Sequence, residues 1–249
     1  MNQSYGRDEY IDTFSDKRIN PQLSIVLPCH NEEENIEKVV KDIFNELNGK
    51  IEFELIISED GSKDNTKEII RKLSKKYPIK AILSKNRKGY AGGIKDGVKL
   101  ASAEYILIMD SDRQHDIKDF WKLWALKDYF DIISGWRIRR ADSIFRKIMS
   151  KTFQFYAKIL FHYPFHDATA PFKLMKKRVA KDIITKCKYM KESFWTEFVI
   201  LAWLKKYSYA EIPVNHRKRK ETRVYKPKKL LGIIVRQIII NRRIFNARK

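Results

Sequence analysis

Two aspartates separated by one residue follow the apolar segment 105–109, in the order Asp110-Ser111-Asp112. In an extended turn, alternate side chains point the same way, so both carboxylates would share one side, with Gln114 one step further on. Oxygen ligands with this spacing are typical of Mg²⁺ or Mn²⁺ sites, which keep open positions for substrate phosphates. The alternative is a helix cap with solvated acids, so the interpretation depends on what lies nearby.

A second acidic turn, Glu59-Asp60-Gly61, ends the apolar segment 53–57 and opens a predicted helix. Gly61 permits a tight turn, and Asp64 is placed to cap the helix that follows. Capping accounts for Asp64, whereas Asp60 at the end of a strand could accept a hydrogen bond from a nucleobase or a ribose. The turn is therefore a second candidate binding segment.

A glycine-rich loop at residues 85–93, which includes Gly89, precedes another predicted helix. Backbone N–H groups at a helix start can cradle phosphate groups. The glycine spacing fits neither the P-loop nor the dinucleotide-binding fingerprint, so the loop alone does not identify a ligand.

Basic side chains gather after the fifth predicted strand, at Arg137, Arg139, Arg140, Arg146 and Lys147. Guanidinium groups can hold phosphate oxygens through paired hydrogen bonds, although a charged run is also typical of a solvated face. A helix predicted over 142–161 has an apolar face and a basic flank, which fits core packing or contact with an anionic lipid headgroup.

Further along, His166-Asp167 either forms a turn or directs an acid at the acceptor or the sugar.

The elements that must position these residues alternate between short β-branched segments and stretches of helical period. This pattern predicts an α/β fold with a mostly parallel central sheet covered by helices. The predicted strands are 23–27, 53–57, 80–83, 105–109, 131–134, 172–175 and 210–214. The predicted helices are 33–47, 64–76, 91–101, 117–129, 142–161 and 194–206. Because ligands bind at the carboxyl ends of parallel strands, residues 30–32, 59–61, 86–93 and 110–114 should converge on one crevice.

The formal charge is +21 over 249 residues, which favours an anionic partner: nucleic acid, an acidic membrane surface or a phosphorylated ligand. Residues 205–249 carry 15 Lys or Arg against Glu211 and Glu221. A terminal helix there has an apolar face and arginines opposite it, which favours an interfacial anchor over simple packing. We predict an N-terminal arm (1–21), a catalytic domain (22–214) and a basic extension with an amphipathic helix (215–249).

Location within the cell is predicted from what the sequence lacks. The first 22 residues have no apolar core typical of a signal peptide, and the apolar segment 230–245 is interrupted by arginines. The two cysteines form no CxxC pair, which favours a reducing compartment. We expect a protein bound peripherally to the cytoplasmic face of a membrane.

Six segments, taken in order, resemble family 2 glycosyltransferases of the GT-A fold. They are LSIVLPCHNEEENIEKVV, LIISEDGSKDNT, NRKGYAGGIKDGVKLA, YILIMDSDRQHD, DIISGWR and EIPVNHRKR. The resemblance spans about residues 22–226 and is strongest to the group of dolichyl-phosphate mannosyltransferases and polyprenyl-phosphate glycosyltransferases. It implies transfer of a sugar, with inversion, from a GDP- or UDP-sugar to a membrane-held polyprenyl phosphate, with Mg²⁺ or Mn²⁺ as cofactor.

The resemblance also implies roles for particular residues. The residues expected to contact the nucleoside are Pro28, His30, Glu32 and Asp60. We also include Ser58, Gly89 and Ser111 in the predicted nucleotide-sugar site. The residues expected to bind the divalent ion and the diphosphate are Asp110, Asp112 and Gln114. The residues expected to bind the acceptor phosphate are Arg137, Arg146, Lys147 and Ser150. Arg217 and Arg219 are expected to close over the phosphates. Asp112, Arg137 and Asp167 are the predicted catalytic residues.

The chain departs from the family pattern where Glu59 replaces the usual first aspartate, and where Lys173 ends a segment that is typically Gly-Phe-Arg. Three alternatives stay open at this point. A glycosyltransferase acting on a hydroxyl of a glycan or glycolipid would need a base, for which Asp167 is the candidate. A nucleic-acid-binding protein would explain the charge but not the acids at strand ends, so no nucleic-acid partner is expected. A sugar nucleotidyltransferase is disfavoured because no pyrophosphorylase-type glycine loop follows the first strand.

Overall fold

The computed structural model describes residues 4–5, 8–13, 20–138, 155, 158–162, 164–188 and 194–217. Its strands are β1 Ser4–Tyr5, β2 Asp8–Asp12, β3 Leu23–Cys29, β4 Phe53–Glu59, β5 Ile79–Leu83, β6 Tyr105–Ile108, β7 Ile132–Arg137, β8 Lys173–Lys176 and β9 Tyr209–Val214. Its helices are α1 Ile36–Leu47, α2 Thr66–Ser74, α3 Tyr90–Leu100, α4 Phe120–Trp124, α5 Lys177–Ile184 and α6 Phe194–Leu204. A short 3₁₀ helix, Ile117–Asp119, precedes α4.

Within the described residues all the strands join one sheet, in the order β1-β2-β5-β4-β3-β6-β8-β7-β9. The four central strands, β5, β4, β3 and β6, are parallel, so their carboxyl ends lie at one edge. Strand β8 runs antiparallel to both β6 and β7, while β7 and β9 are parallel to each other. The predicted α/β fold with a parallel central sheet is therefore confirmed.

Helices cover both faces of the sheet. One apolar cluster joins the sheet to α3, α5 and α6, and the other joins it to α1, α2 and α4. Every residue of β3 and β4 is buried, as expected for strands packed on both faces. Helix α3 approaches β3 closely at Gly97, where an added Cβ would lie 2.4 Å from Cγ1 of Val26. The central strands are thus packed tightly, and the polar turns follow at their carboxyl ends.

Strand β2 shows that part of the predicted N-terminal arm is paired with the central sheet. It pairs antiparallel with β5, and Nε and Nη2 of Arg71 both donate hydrogen bonds to the carboxylate of Glu9. Nζ of Lys88 lies 2.7 Å from the carboxylate of Asp8. The segment is polar apart from Ile11, so it carries no apolar alternation that could have indicated a strand. Its pairing comes from an edge more than sixty residues away in sequence.

Other boundaries differ from prediction for similar reasons. Strand β7 continues through Arg137 because it pairs with β9, a contact that is not local in sequence. Helix α5 was not predicted, since it starts directly after β8 and Lys176 supplies no side-chain cap. The predicted helix 142–161 lies largely outside the described residues, and the predicted terminal helix lies wholly outside them. In the part of the chain that is described, no helix combines the length and apolarity needed to cross a membrane.

Candidate active site

The carboxyl ends of β3, β4 and β6 are joined by hydrogen bonds. The N–H of Asp60 donates to the carbonyl of Cys29 at 2.8 Å, and Nδ1 of His30 lies 2.8 Å from the carbonyl oxygen of Asp60. Oγ of Ser111 donates to the carbonyl of Pro28 at 2.9 Å. Three of the predicted binding segments therefore meet at one edge of the sheet.

The glycine-rich loop is attached to this edge by the carboxylate of Asp60. This carboxylate is buried and accepts hydrogen bonds from the backbone N–H groups of Lys88 and Gly89. Gly89 has a φ of 85°, and Gly61 has a φ of 65° with the backbone of Arg87 so close that a Cβ would lie 2.8 Å from its nitrogen. Asp60 thus organises the loop, while its predicted contact with a nucleoside stays a prediction.

Two other predicted nucleotide-site residues are directed into the protein. The carboxylate of Glu32 is buried and accepts a hydrogen bond from Nδ2 of Asn35 at the start of α1. Ser58 is 2% exposed, beneath the first turn of α3. Asp64 accepts hydrogen bonds from the N–H and Oγ1 of Thr66, the first residue of α2, although the N-cap residue itself is Asn65. These side chains hold the turns in shape.

The two aspartates after β6 flank an inward-pointing serine. Ser111 is 3% exposed, whereas Asp110 and Asp112 are each half-buried. Oδ1 of Asp112 accepts a hydrogen bond from the N–H of Gln114 at 3.1 Å, across Arg113 in a left-handed conformation with a φ of 61°. This hydrogen bond fixes the orientation of the Asp112 carboxylate, while the shared side predicted for the two carboxylates stays a prediction.

The electrostatics of this pair are unfavourable without a cation. Burial of the Asp110 carboxyl and, next, the negative charge of Asp112 raise the pKa of Asp110 to about 7. Arg137 is close enough to oppose this rise in pKa, without cancelling it. A bound divalent cation would relieve the repulsion between the two carboxylates.

The side chains present fit a magnesium-type or manganese-type site that is completed by substrate. Among the described residues no group of three or more His, Cys, Asp or Glu side chains could hold a metal ion. Mg²⁺ is commonly held by one or two carboxylates together with substrate phosphates and water, which is what Asp110 and Asp112 can offer. The amide nitrogen of Gln114 donates to the carbonyl of Arg217 at 3.1 Å, so this side chain also joins the loop to the C-terminal segment.

Arg137 and Asp167 form a buried ion pair. Nε and Nη2 of Arg137 donate to the two carboxylate oxygens of Asp167 at 2.7 and 2.8 Å, and Nη2 also lies 2.7 Å from Oγ1 of Thr169. Their side chains are 9% and 4% exposed. A carboxylate held in two places by a guanidinium is a poor proton acceptor, so this geometry disfavours the predicted role of Asp167 as a base for a hydroxyl acceptor.

The C-terminal predictions are only partly covered by the described residues. The N–H of Arg217 donates to the carbonyl of Gln114 at 2.8 Å, and its guanidinium pairs with Asp116. Arg217 is thus brought beside the loop that carries the two aspartates. The other predicted phosphate-binding residues, Arg146, Lys147, Ser150 and Arg219, lie outside the described residues.

Several polar residues near the site were not predicted. Tyr90 donates to Oδ1 of Asp110 at 2.8 Å, and Trp195 donates to the Tyr90 oxygen at 2.9 Å. Lys173 is fully buried and donates to Oγ of Ser134 at 2.7 Å. For Lys173 the sequence did hold a signal, since a lysine next to apolar residues in a predicted strand is unusual. For Tyr90 and Trp195 it held none, because an aromatic residue in a helix is usually core packing.

A central parallel sheet with acidic turns at its carboxyl edge and an antiparallel strand β8 beyond β6 defines a GT-A fold. The family model described as "Glycosyl transferase family 2" matches residues 24–184, and the chain belongs to this family.

Similar proteins include two polyprenyl-phosphate enzymes. The dolichol-phosphate mannosyltransferase of Pyrococcus furiosus is 35% identical over 136 residues, which cover 52% of this chain and 38% of that protein. The dolichyl-phosphate beta-glucosyltransferase of Dictyostelium discoideum is 27% identical over 217 residues, which cover 79% of this chain and 66% of that protein. The chain therefore spans less than two thirds of the length of each of these curated relatives.

Solved structures share the fold at low sequence identity. Glucosyl-3-phosphoglycerate synthase from Mycobacterium tuberculosis, crystallised with Mn²⁺, uridine diphosphate and phosphoglyceric acid, superposes with a TM-score of 0.66 at 18% identity. The match covers 89% of this chain and 77% of that one. TarS from S. aureus, in complex with UDP, gives a TM-score of 0.59 at 18% identity over 88% of this chain and 65% of that one.

Proposed function

We propose that the protein transfers a sugar from a nucleoside-diphosphate sugar to a membrane-held polyprenyl phosphate. The observation that carries the proposal is the meeting of Asp110 and Asp112 with the loop anchored by Asp60, at the carboxyl ends of parallel strands. This edge offers two carboxylates for a divalent ion and backbone N–H groups for phosphates.

The choice of donor and acceptor draws on the relatives. Both curated relatives carry dolichol or dolichyl phosphate in their names, and two structural neighbours were crystallised with UDP, one of them with Mn²⁺ as well. The crystallised ligands favour a UDP-sugar donor and Mn²⁺, and the names of the relatives favour a polyprenyl phosphate acceptor. A GDP-sugar and Mg²⁺ are the other options kept in the proposal. The acceptor assay described below, run with a panel of sugar nucleotides, identifies the sugar.

The proposed reaction is a single displacement at the anomeric carbon. An oxygen of the acceptor phosphate forms the new bond while the bond to the nucleoside diphosphate breaks on the opposite face, which inverts the configuration. When bound at Asp110, Asp112 and Gln114, the divalent ion would supply positive charge to the leaving diphosphate. Arg137 and Arg217 add positive charge at the same edge, with Arg146, Lys147, Ser150 and Arg219 proposed to join them around the acceptor phosphate.

A phosphate acceptor also suits the state of Asp167. A lipid phosphate is already ionised at neutral pH, so its attack requires no strong general base. Asp167 is held by Arg137 in two places and is therefore proposed to orient that arginine. Its catalytic contribution would be to keep the guanidinium in place rather than to accept a proton.

The deciding experiment offers the purified full chain a choice of acceptors. The protein is incubated with Mg²⁺ or Mn²⁺ and a panel of labelled UDP- and GDP-sugars, with either polyprenyl phosphate or glycan acceptors. A lipid-soluble labelled product that forms only with polyprenyl phosphate is expected. Transfer to glycan hydroxyls alone would replace the proposal with the alternative acceptor class.

Peripheral attachment to the cytoplasmic face of an anionic membrane is the second part of the proposal. It rests on the basic residues of 205–249 and on the predicted amphipathic helix. Deleting residues 228–249 should abolish sedimentation with vesicles of anionic lipid while leaving the described sheet intact. Undiminished sedimentation of the shortened chain would disprove this anchor.

A further inference from the structure

A chain of two hydrogen bonds ends on the first aspartate of the metal-binding pair. Nε1 of Trp195 lies 2.9 Å from the Tyr90 oxygen, which lies 2.8 Å from Oδ1 of Asp110. An indole N–H can only donate, and a phenol has a single proton. Tyr90 therefore accepts from Trp195 and, when Asp110 is ionised, donates its proton to the Asp110 carboxylate.

The geometry of Asp110 follows from this chain. The hydrogen bond assigns Oδ1 to Tyr90 and sets the plane of the carboxylate relative to the end of β6. Ligating carboxylates are commonly held by such second-layer hydrogen bonds, whose loss weakens metal binding by roughly 10- to 100-fold. The adjacent Asp112 is oriented separately, by the N–H of Gln114. Each aspartate thus has its own orienting donor.

The far end of the chain is anchored in the core. Trp195 is 5% exposed, and its ring faces Nζ of Lys173 at 5.2 Å. Lys173 is in turn fixed by donating to Oγ of Ser134 and to the carbonyl of Ala170 at 2.7 and 2.6 Å. The Lys173 amine packs against the indole face, and this contact resists rotation of the ring. Strands β7 and β8 therefore support a side chain that points to the end of β6.

We infer that Tyr90, supported by Trp195, is a positioning residue for the Asp110 carboxylate and so sets the affinity of the site for a divalent cation. The inference rests on the proposed function, because it assumes that Asp110 is a metal ligand. Nothing in the matched motifs indicates this role, since Tyr90 lies twenty residues before Asp110 and Trp195 lies 105 residues after Tyr90.

The test measures Mn²⁺ binding to the purified full chain from the paramagnetic resonance signal of the free ion, without substrate. Tyr90→Phe keeps the ring and removes only the hydroxyl group, and we expect it to weaken Mn²⁺ binding roughly 10-fold or more. Trp195→Phe should weaken binding by a smaller factor, because Tyr90 keeps its own donor. The matched control is Tyr105→Phe. It removes a phenol hydroxyl at the start of β6, the strand that Asp110 follows, and this hydroxyl donates to Asp128 at 2.9 Å.

The outcomes separate the inference from the proposed function. Asp112→Asn reports on the metal site itself, and unchanged Mn²⁺ binding in that variant would refute the proposed site and the inference together. If Asp112→Asn loses binding while Tyr90→Phe and Trp195→Phe both bind as tightly as wild type, the inference alone is wrong. Equal weakening in Tyr105→Phe would also overturn it, since the effect would then be one of general stability, which thermal midpoints of all four variants would reveal.

Discussion

Asp110 and Asp167 occupy neighbouring parts of the same sheet edge and carry their negative charge in opposite ways. Asp167 faces a guanidinium that binds both of its oxygens, so its charge is matched within the protein. Asp110 faces a second carboxylate and a phenol, and its pKa rises to about 7. The comparison teaches that an acidic residue type alone does not identify a role, because the groups packed around each carboxylate decide its charge state.

The most direct test of this comparison is Asp112→Asn, which removes the negative charge that acts on Asp110. We expect about a thousandfold loss of sugar transfer with little change in the thermal midpoint, because the charge on the leaving diphosphate loses its stabilisation. Asp128→Asn is the control, since its side chain is 67% exposed and lies beyond the other end of β6. Full activity of Asp112→Asn would remove the metal assignment.

Asp167→Ala should act first on stability, since it leaves the buried guanidinium of Arg137 without its main partner. We expect the free energy of unfolding to fall by about 3 kcal/mol in urea titrations. Asp182→Ala removes a surface acid that pairs with Lys186 and Lys205, and should cost under about 1 kcal/mol. An unchanged free energy of unfolding in Asp167→Ala would show that the buried guanidinium of Arg137 does not depend on this partner.

Lys173 provides a test by pH, because burial lowers its pKa to about 7. Between pH 7 and pH 9 the folded protein has released this proton while the unfolded chain still holds it, so stability due to this group rises with pH. Relative to Lys173→Met, the wild type should gain about 2 kcal/mol in unfolding free energy from pH 7 to pH 9. A difference that stays constant over this range would show that Lys173 titrates normally.

The smallest expected effect concerns the loop held by Asp60. Gly61→Ala and Gly49→Ala both place a side chain at a positive φ and should each cost about 1 kcal/mol in stability. Only at Gly61 would the new Cβ press on the backbone of Arg87, whereas open space surrounds Gly49. We therefore expect only Gly61→Ala to raise the KM for the sugar nucleotide, by a few-fold. An equal rise in both variants would mean that the loop contributes nothing specific.

How far the sequence could predict the molecule depends on how local each feature is. The central strands and the turns after them were predicted because apolar segments followed by Asp110 or Asp60 are contiguous signals. The ion pair of Arg137 joins residues thirty positions apart, and the contact of Trp195 with Tyr90 spans 105 positions. Such pairings depend on how β7, β8 and α6 are placed in space, which no local pattern encodes.

The same limit applies to the contacts of single residues. Asp167 was a candidate base because an acid in a turn is indistinguishable from a reactive one until its partner is known. Gln114 was predicted as a ligand, and its side chain also bonds to Arg217, over a hundred residues away in the chain. Glu32 and Ser58 carry the right chemistry for a nucleotide site, yet the folded backbone turns both inward.

Strand β2, which separates β5 from β1, has a practical consequence for the design of shortened chains for crystallisation. Cutting at residue 22, where the motifs begin, would expose the unpaired backbone of β5 and invite self-association along that edge. It would also delete Asp8, whose carboxylate accepts from the N–H of Lys85 and pairs with Lys88 in the glycine-rich loop. We expect a shortened protein to aggregate and to have a lower affinity for the proposed sugar nucleotide, although every recognisable motif would still be present.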